Sequence, residues 1–255
     1  MNVGEFLLLV LAGLGAGLVG SVAGLASLIS YPALLATGIP PLSANVTNTV
    51  ALVFNSVGSV SASRPELVGQ RRRLVRLCAA GLAGGAVGAV LLLLTPSSAF
   101  EKLVPVLIAA ASAAILVQRS PRELAAEGAR TGHQHRDHWG VVLGTFGISI
   151  YGGYFGAAAG VLMLATFLLV MDVGLPQGNA LKNSVLGVAN SVAALGYVFF
   201  ADVDWSAVLP LAIGCLAGGR LGPRVARVVP QLLLRRVIAV AGLGLAVHLG
   251  LDAFG

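Results

Sequence analysis

The sequence predicts an all-α, polytopic integral membrane protein built from two repeats of inverted topology. Three observations lead there. The first is composition: 57% of the residues are hydrophobic, 10% are charged, and the mean hydropathy is +0.91. A soluble domain carries about 25% charged residues, so most of this surface cannot face water. The second is length, because several apolar runs exceed the roughly 18 residues that carry a helix across a ~30 Å hydrocarbon core. The third is self-similarity. Asn48-Thr-Val-Ala-Leu-Val-Phe-Asn55-Ser56 returns as Asn183-Ser-Val-Leu-Gly-Val-Ala-Asn190-Ser191, and Leu82-Ala-Gly-Gly-Ala-Val-Gly88 returns as Leu216-Ala-Gly-Gly-Arg-Leu-Gly222. Each copy of the second motif reaches a proline eight residues later, Pro96 and Pro230. Both matches share an offset of about 135 residues, as one internal duplication requires.

The elements follow in order. Residues 1–118 form the first repeat, 119–138 a cytoplasmic linker and 139–255 the second repeat. The opening apolar run, 5–37, would reach ~50 Å as one straight helix, too long for the core without extreme tilt. Its partner, 139–172, has the same problem. Each carries a glycine cluster near its middle: Gly13, Gly15, Gly17, Gly20 and Gly24 in one, Gly152, Gly153, Gly156 and Gly160 in the other. Two short helices of ~16 residues joined at a glycine-rich bend fit better in each case. The runs 42–63, 74–95, 102–118, 178–200 and 232–251 are continuous helix candidates. They are too long for outer-membrane strands and lack strand alternation. Each repeat thus has a broken or hairpin first segment followed by three transmembrane helices, 8–10 membrane segments in all.

Charge placement gives the orientation. The loop Arg64-Pro-Glu-Leu-Val-Gly-Gln-Arg71-Arg72-Arg73-Leu-Val-Arg76 is basic, whereas its counterpart Phe200-Ala-Asp202-Val-Asp204-Trp205 is acidic. One helix later the bias reverses: Pro96 to Lys102 is nearly neutral, and its counterpart holds Arg220, Arg224, Arg227, Arg235 and Arg236. Equivalent loops with opposite positive-inside signals imply that the halves enter the membrane in opposite directions. Both termini are then outside and the linker inside. The net charge of +6 belongs to these short loops, with no aromatic interleaving, so it argues against nucleic acid.

No hydrolytic, redox or phosphate-binding motif is present, so the sequence predicts no enzyme, no catalytic residue and no cofactor. Cys78 and Cys215 sit inside apolar spans and read as packing residues. His133, His135 and His138 have a spacing that could hold a metal; a solvated connector explains them better, and no metal site is expected.

A duplicated hydrophobic chain is the pattern of a secondary transporter, with its site where the repeats meet. A broken helix exposes backbone N–H groups whose dipole attracts anions, which nominates Gly24, Ser27, Gly156 and Gly160. Polar residues follow each break: Asn45, Thr47, Asn48 and Asn55 in the first half, Lys182, Asn183, Ser184 and Asn190 in the second. Asn48 and Asn55 stand two helical turns apart, as do Asn183 and Asn190, so each pair shares a face. Those amides could serve substrate or simply bond between helices. Lys182 could snorkel or face the cavity as counter-charge for an anion. Tyr151 and Tyr154 flank the second break, where anchoring and hydroxyl donation are both open. No carboxylate falls in the middle of a span. Because the membrane potential alone favours anion exit, by ~2.3 kcal/mol per charge per 100 mV, export needs no proton relay.

The chain resembles the TauE/SafE family of sulfite and organosulfonate transporters. The resemblance rests on Tyr31-Pro32-Ala-Leu-Leu, Pro41-Leu-Ser-Ala-Asn45-Val-Thr-Asn48-Thr-Val-Ala-Leu52 and Arg64-Pro-Glu-Leu67 in the first half. In the second it rests on Tyr151-Gly-Gly-Tyr-Phe-Gly156 and Gly178-Asn-Ala-Leu-Lys182-Asn183. It implies a multi-pass carrier of the bacterial inner membrane that exports a small sulfur-containing anion, sulfite or an organosulfonate. An anion channel and a proton-coupled uptake permease are the alternatives. The implied partners are that anion and the membrane lipid; a homodimer stays open.

Overall fold

The computed structural model describes residues 1–119, 121–131, 139–225 and 231–254. The histidines of the linker lie outside them. The described residues form eleven α-helices: α1 (Val3–Ala23), α2 (Ser27–Ala36), α3 (Pro41–Ala62), α4 (Arg71–Leu93), α5 (Ser97–Val117), α6 (Pro121–Thr131), α7 (Trp139–Tyr154), α8 (Ala159–Val170), α9 (Leu175–Phe200), α10 (Trp205–Val225) and α11 (Gln231–Phe254). Five are long and apolar enough to cross a membrane: α1, α4, α5, α9 and the 205–223 portion of α10. Their outward faces carry large apolar side chains such as Leu11, Val90, Val106, Leu195 and Leu209. With no water to meet there, such a surface is what lipid solvates. The chain is a multi-pass membrane protein.

α3 is as long as these helices but far more polar, and burial explains it. Asn45, Thr47, Asn48, Thr49, Asn55, Ser56 and Ser59 all turn inward, while Phe54 and Val57 face outward. Its N-terminus is set by Pro41 at the first helical position, where a missing N–H costs nothing.

Both opening segments are broken, but not where equal halves would put the break. α1 has 21 residues and α2 has 10; α7 has 16 and α8 has 12. The capping box of Asn2 and Glu5 starts α1 early, and the chain turns only at the last glycine of the cluster. Gly13 and Gly17 serve packing instead. A side chain on Gly13 would strike the Leu211 carbonyl at 2.3 Å, and one on Gly17 the Cys215 carbonyl at 2.6 Å. Successive turns of α1 therefore meet successive turns of α10, so these two helices run in the same direction. α4 and α7 repeat this, with Gly84 against Phe146 and Gly88 against Ile150.

The helix pairings exchange systematically between the halves. α1 packs on α10 as α7 packs on α4; α3 packs on α10 as α9 packs on α4; and α3 meets α9 while α5 meets α11. α3 and α9 thus lie at the centre, each beside the broken segments. α6 lies within the 119–138 linker and buries Leu124 against Leu164 and Leu168 of α8.

Candidate functional site

Each break is built by a glycine in the left-handed region. Gly24 caps α1 at φ 77° and Gly156 follows α7 at φ 79°, a conformation only glycine adopts without strain. Ala158 adds a third left-handed residue, φ 61°, just before α8. The breaks touch. A Cβ on Gly24 would lie 2.4 Å from the Gly160 carbonyl carbon, and one on Gly160 would lie 2.6 Å from the Gly24 Cα. The start of α8 therefore passes the end of α1 backbone to backbone.

A cavity of about 40 Å³ opens beside this crossing, walled by Gly20, Gly24, Ala26 and Ser27 from the first break and Gly152, Phe155, Gly156, Ala159 and Gly160 from the second. α3 contributes Thr49, Leu52, Asn55 and Ser56, and α9 contributes Asn183, Leu186 and Asn190. It has room for a small anion or roughly three water molecules. Neither α2 nor α8 receives a side-chain cap. Among the described residues, the first-turn amides of Ser27 and Gly160 donate to no carbonyl or side chain. The Asn55 and Asn190 side chains likewise make no hydrogen bond there, and Asn55 Oδ1 is buried without a partner. Amides left unspent inside a protein are costly unless something completes them.

Of the residues nominated from sequence, Gly24, Ser27, Asn55, Gly156, Gly160, Asn183 and Asn190 meet in this wall. The others are spent on holding it. Asn45 Nδ2 donates to the Tyr154 carbonyl at 2.9 Å, joining α3 to the end of α7. The Ser30 hydroxyl donates to Asn48 Oδ1 at 2.6 Å, tying α2 to α3. Thr47 Oγ1 accepts from the Asp204 N–H at 3.0 Å, across the halves. The Tyr151 hydroxyl bridges its own break to the Ala157 carbonyl at 2.7 Å. Tyr154 reaches Thr95 at 3.4 Å, and Ser184 folds back on the Ala180 carbonyl.

Lys182 neither snorkels nor reaches the cavity. It is fully buried, and its Nζ donates to the carbonyls of Gly20 (3.1 Å) and Ser21 (3.2 Å) at the end of α1. Asn183 Nδ2 joins it on Ser21 at 3.1 Å. The Gly20 carbonyl also accepts from the Gly24 N–H at 2.9 Å, so Lys182 is a second donor there, placed at the negative end of the helix dipole.

Thr49 and Ser56 are wall residues that sequence reasoning passed over. The signal was available: 49, 52 and 56 form one helical stripe on α3, as 183, 186 and 190 do on α9. Repeat matching pairs Asn48 with Asn183, but α3 presents the stripe one residue later, so Asn48 turns to Ser30 instead.

At the α9–α10 loop, the Ser206 hydroxyl holds the Asp204 carboxyl below the usual aspartate range, aided by the Ala207 amide.

The family model for the sulfite exporter TauE/SafE matches residues 9–249. The chain belongs to the TauE/SafE family. It is similar to the probable membrane transporter protein ORF9 of Sinorhizobium sp, 25% identical over 245 residues, covering 93% of this chain and 89% of that one. It is also similar to the probable membrane transporter protein YfcA of Escherichia coli K12, 25% identical over 246 residues, covering 94% and 87%. A probable membrane transporter protein of Haemophilus influenzae is 26% identical over 250 residues, covering 94% and 93%. No solved structure matches the chain. Family membership makes this protein a membrane transporter of a small substrate and not an enzyme.

Proposed function

We propose that the protein exports a small sulfur-containing anion, sulfite or an organosulfonate, across the bacterial inner membrane, and that the cavity between the two breaks is its substrate site. One observation carries the reading: two helix N-termini bring unspent backbone N–H donors to one cavity, beside two asparagine side chains, Asn55 and Asn190, that line the same wall. Helix N-termini favour anions through oriented donors and dipole together. Asn55 and Asn190 supply side-chain donors, while Asn183, Thr49 and Ser56 line the wall and donate to the carbonyls of Ser21, Asn45 and Leu52. Lys182 holds the Gly20 carbonyl behind the wall and does not touch the anion.

The repeats are inverted in this reading. The systematic exchange of helix partners supports it, and so do the shared directions of α1 with α10 and α4 with α7. α9 and α10 join through four residues, 201–204, so consecutive spans reverse. α4 also runs with α9, Gly81 meeting Val185 and Gly85 meeting Ala189, so in this reading α1, parallel to α10, opposes α7. Two repeats at 1–118 and 139–255, a cytoplasmic 119–138 linker and external termini follow from this and from the basic loops. Export over proton-coupled uptake is favoured because, among the described residues, no carboxylate is buried. The backbone crossing at Gly24 and Gly160 favours a carrier over an open channel.

The test is sulfite efflux from proteoliposomes at an imposed potential. Saturable, potential-driven flux that falls in Asn55→Ala and Asn190→Ala supports the proposal. Equal flux from empty vesicles, or unitary currents, would reject the carrier.

A further inference from the structure

We propose that the carbonyl end of α1 is a monovalent-cation site that the chain fills with its own ammonium, Lys182. The inference rests on the transporter reading for its meaning, though not for its geometry. Three observations carry it. First, the ligands are two successive carbonyls, Gly20 and Ser21, at the C-terminal end of a helix broken in mid-protein. In transporters built on broken helices, such ends are where coupling cations are held, because carbonyl oxygens and the negative dipole end converge there; here each carbonyl keeps one neutral donor besides the ammonium, the Gly24 N–H on Gly20 and Asn183 Nδ2 on Ser21. Second, Lys182 is the one fully buried charged side chain among the described residues, and no carboxylate there pairs with it. Its charge is answered by carbonyl dipoles, as a bound alkali ion would be.

Third, the matching end of α7 is closed without charge. Asn45 donates to Tyr154, and the Tyr197 hydroxyl donates to Gly153. Only one of the two related helix ends therefore demands a cation. That end borders the cavity: Gly20 lines it, and Asn183 lines it while sharing the Ser21 carbonyl with Lys182. A cation here holds the α1 break in shape and keeps positive charge beside the anion. Because the ammonium is covalently attached, transport should need no sodium. Lys182 is a positioning residue in this scheme and does not touch the substrate.

Removing the tether should expose the site. The full chain and Lys182→Ala are melted in detergent with sodium, methylammonium or choline chloride at equal ionic strength. The wild type should melt alike in all three. Lys182→Ala should melt lower by roughly 5 °C or more in choline. It should recover saturably in methylammonium or sodium, which fit between the carbonyls, and its anion flux should become dependent on that cation. A Lys182→Ala protein that melts like wild type, or answers all three cations alike, would overturn the proposal. If the alanine variant does not fold, Lys182→Met and Lys182→Arg decide: loss in the first with retention in the second supports a required cation, and equal melting of both opposes it. Selective rescue of melting without any sulfur-anion flux in the wild type would uphold the cation site and remove the substrate reading.

Discussion

The two broken helices turn through the same left-handed glycine and are finished by different chemistry. At the end of α1, a lysine and an asparagine from α9 close the carbonyls of Gly20 and Ser21. At the end of α7, an asparagine from α3 and a tyrosine from α9 close Tyr154 and Gly153. The two breaks share a backbone turn, and single positions beside them set the charge. The position matching Lys182 is Thr47, which uses its hydroxyl on the Asp204 amide instead. Similar backbones can thus be electrostatically unequal, and the inequality lies beside the cavity.

The largest expected effect is at the first break. Gly24→Ala combines the left-handed penalty with a clash against Gly160 backbone, which cannot yield cheaply. About 3 kcal/mol or more should be lost. Gly156→Ala has the same φ penalty, but its nearest atom is its own helix's Gly152 carbonyl at 2.9 Å, and about 1–2 kcal/mol should be lost. Thermal melts of the two variants side by side check this; equal losses would mean that the crossing at Gly24 is not tight.

Next come the caps. Lys182→Met should cost about 2–3 kcal/mol, since it leaves two buried carbonyls without a charged donor, against about 1 kcal/mol for Tyr197→Phe. Denaturant or thermal unfolding in one detergent measures both, and the reverse order would break the asymmetry between the two helix ends. In the cavity the halves should behave alike. Asn55→Ala and Asn190→Ala should each cut flux roughly tenfold, the loss of about one hydrogen bond to a charged substrate, with little change in melting.

The smallest effect is at the loop that reaches Thr47. Asp204 caps α10 through the Ala207 amide, and Asp204→Ala should cost about 1 kcal/mol. Since folding lowers this carboxyl below its ordinary 3.8, its contribution is present above that pH and fades as pH falls through the folded value. Wild type should therefore lose its advantage over Asp204→Ala on acidification, as melting curves from neutral to acid pH would reveal.

Much of this was legible in the sequence. The spans and the two breaks follow from apolar run length and glycine clustering, because a membrane leaves the backbone few options. Seven wall residues were legible too: Gly24, Ser27, Gly156 and Gly160 from the breaks, and Asn55, Asn183 and Asn190 from polar amides at helical spacing. What was not legible was rotation and reach. One residue of helix rotation moved Asn48 off the cavity and brought Thr49 onto it. Lysine's long stem let Lys182 pass the wall and find carbonyls of another helix, a choice decided by tertiary position alone. The half-helix lengths also escaped, because glycines used for packing and the glycine used for turning look identical in a sequence.

The most direct test of the central claim is sulfite binding to purified protein, read as a thermal shift in wild type and in the Asn55→Ala, Asn190→Ala double variant. Wild type should show a saturable rise in melting temperature that is nearly absent in the double variant, with unliganded melting little changed. An equal rise in both proteins would place the anion elsewhere and contradict that claim.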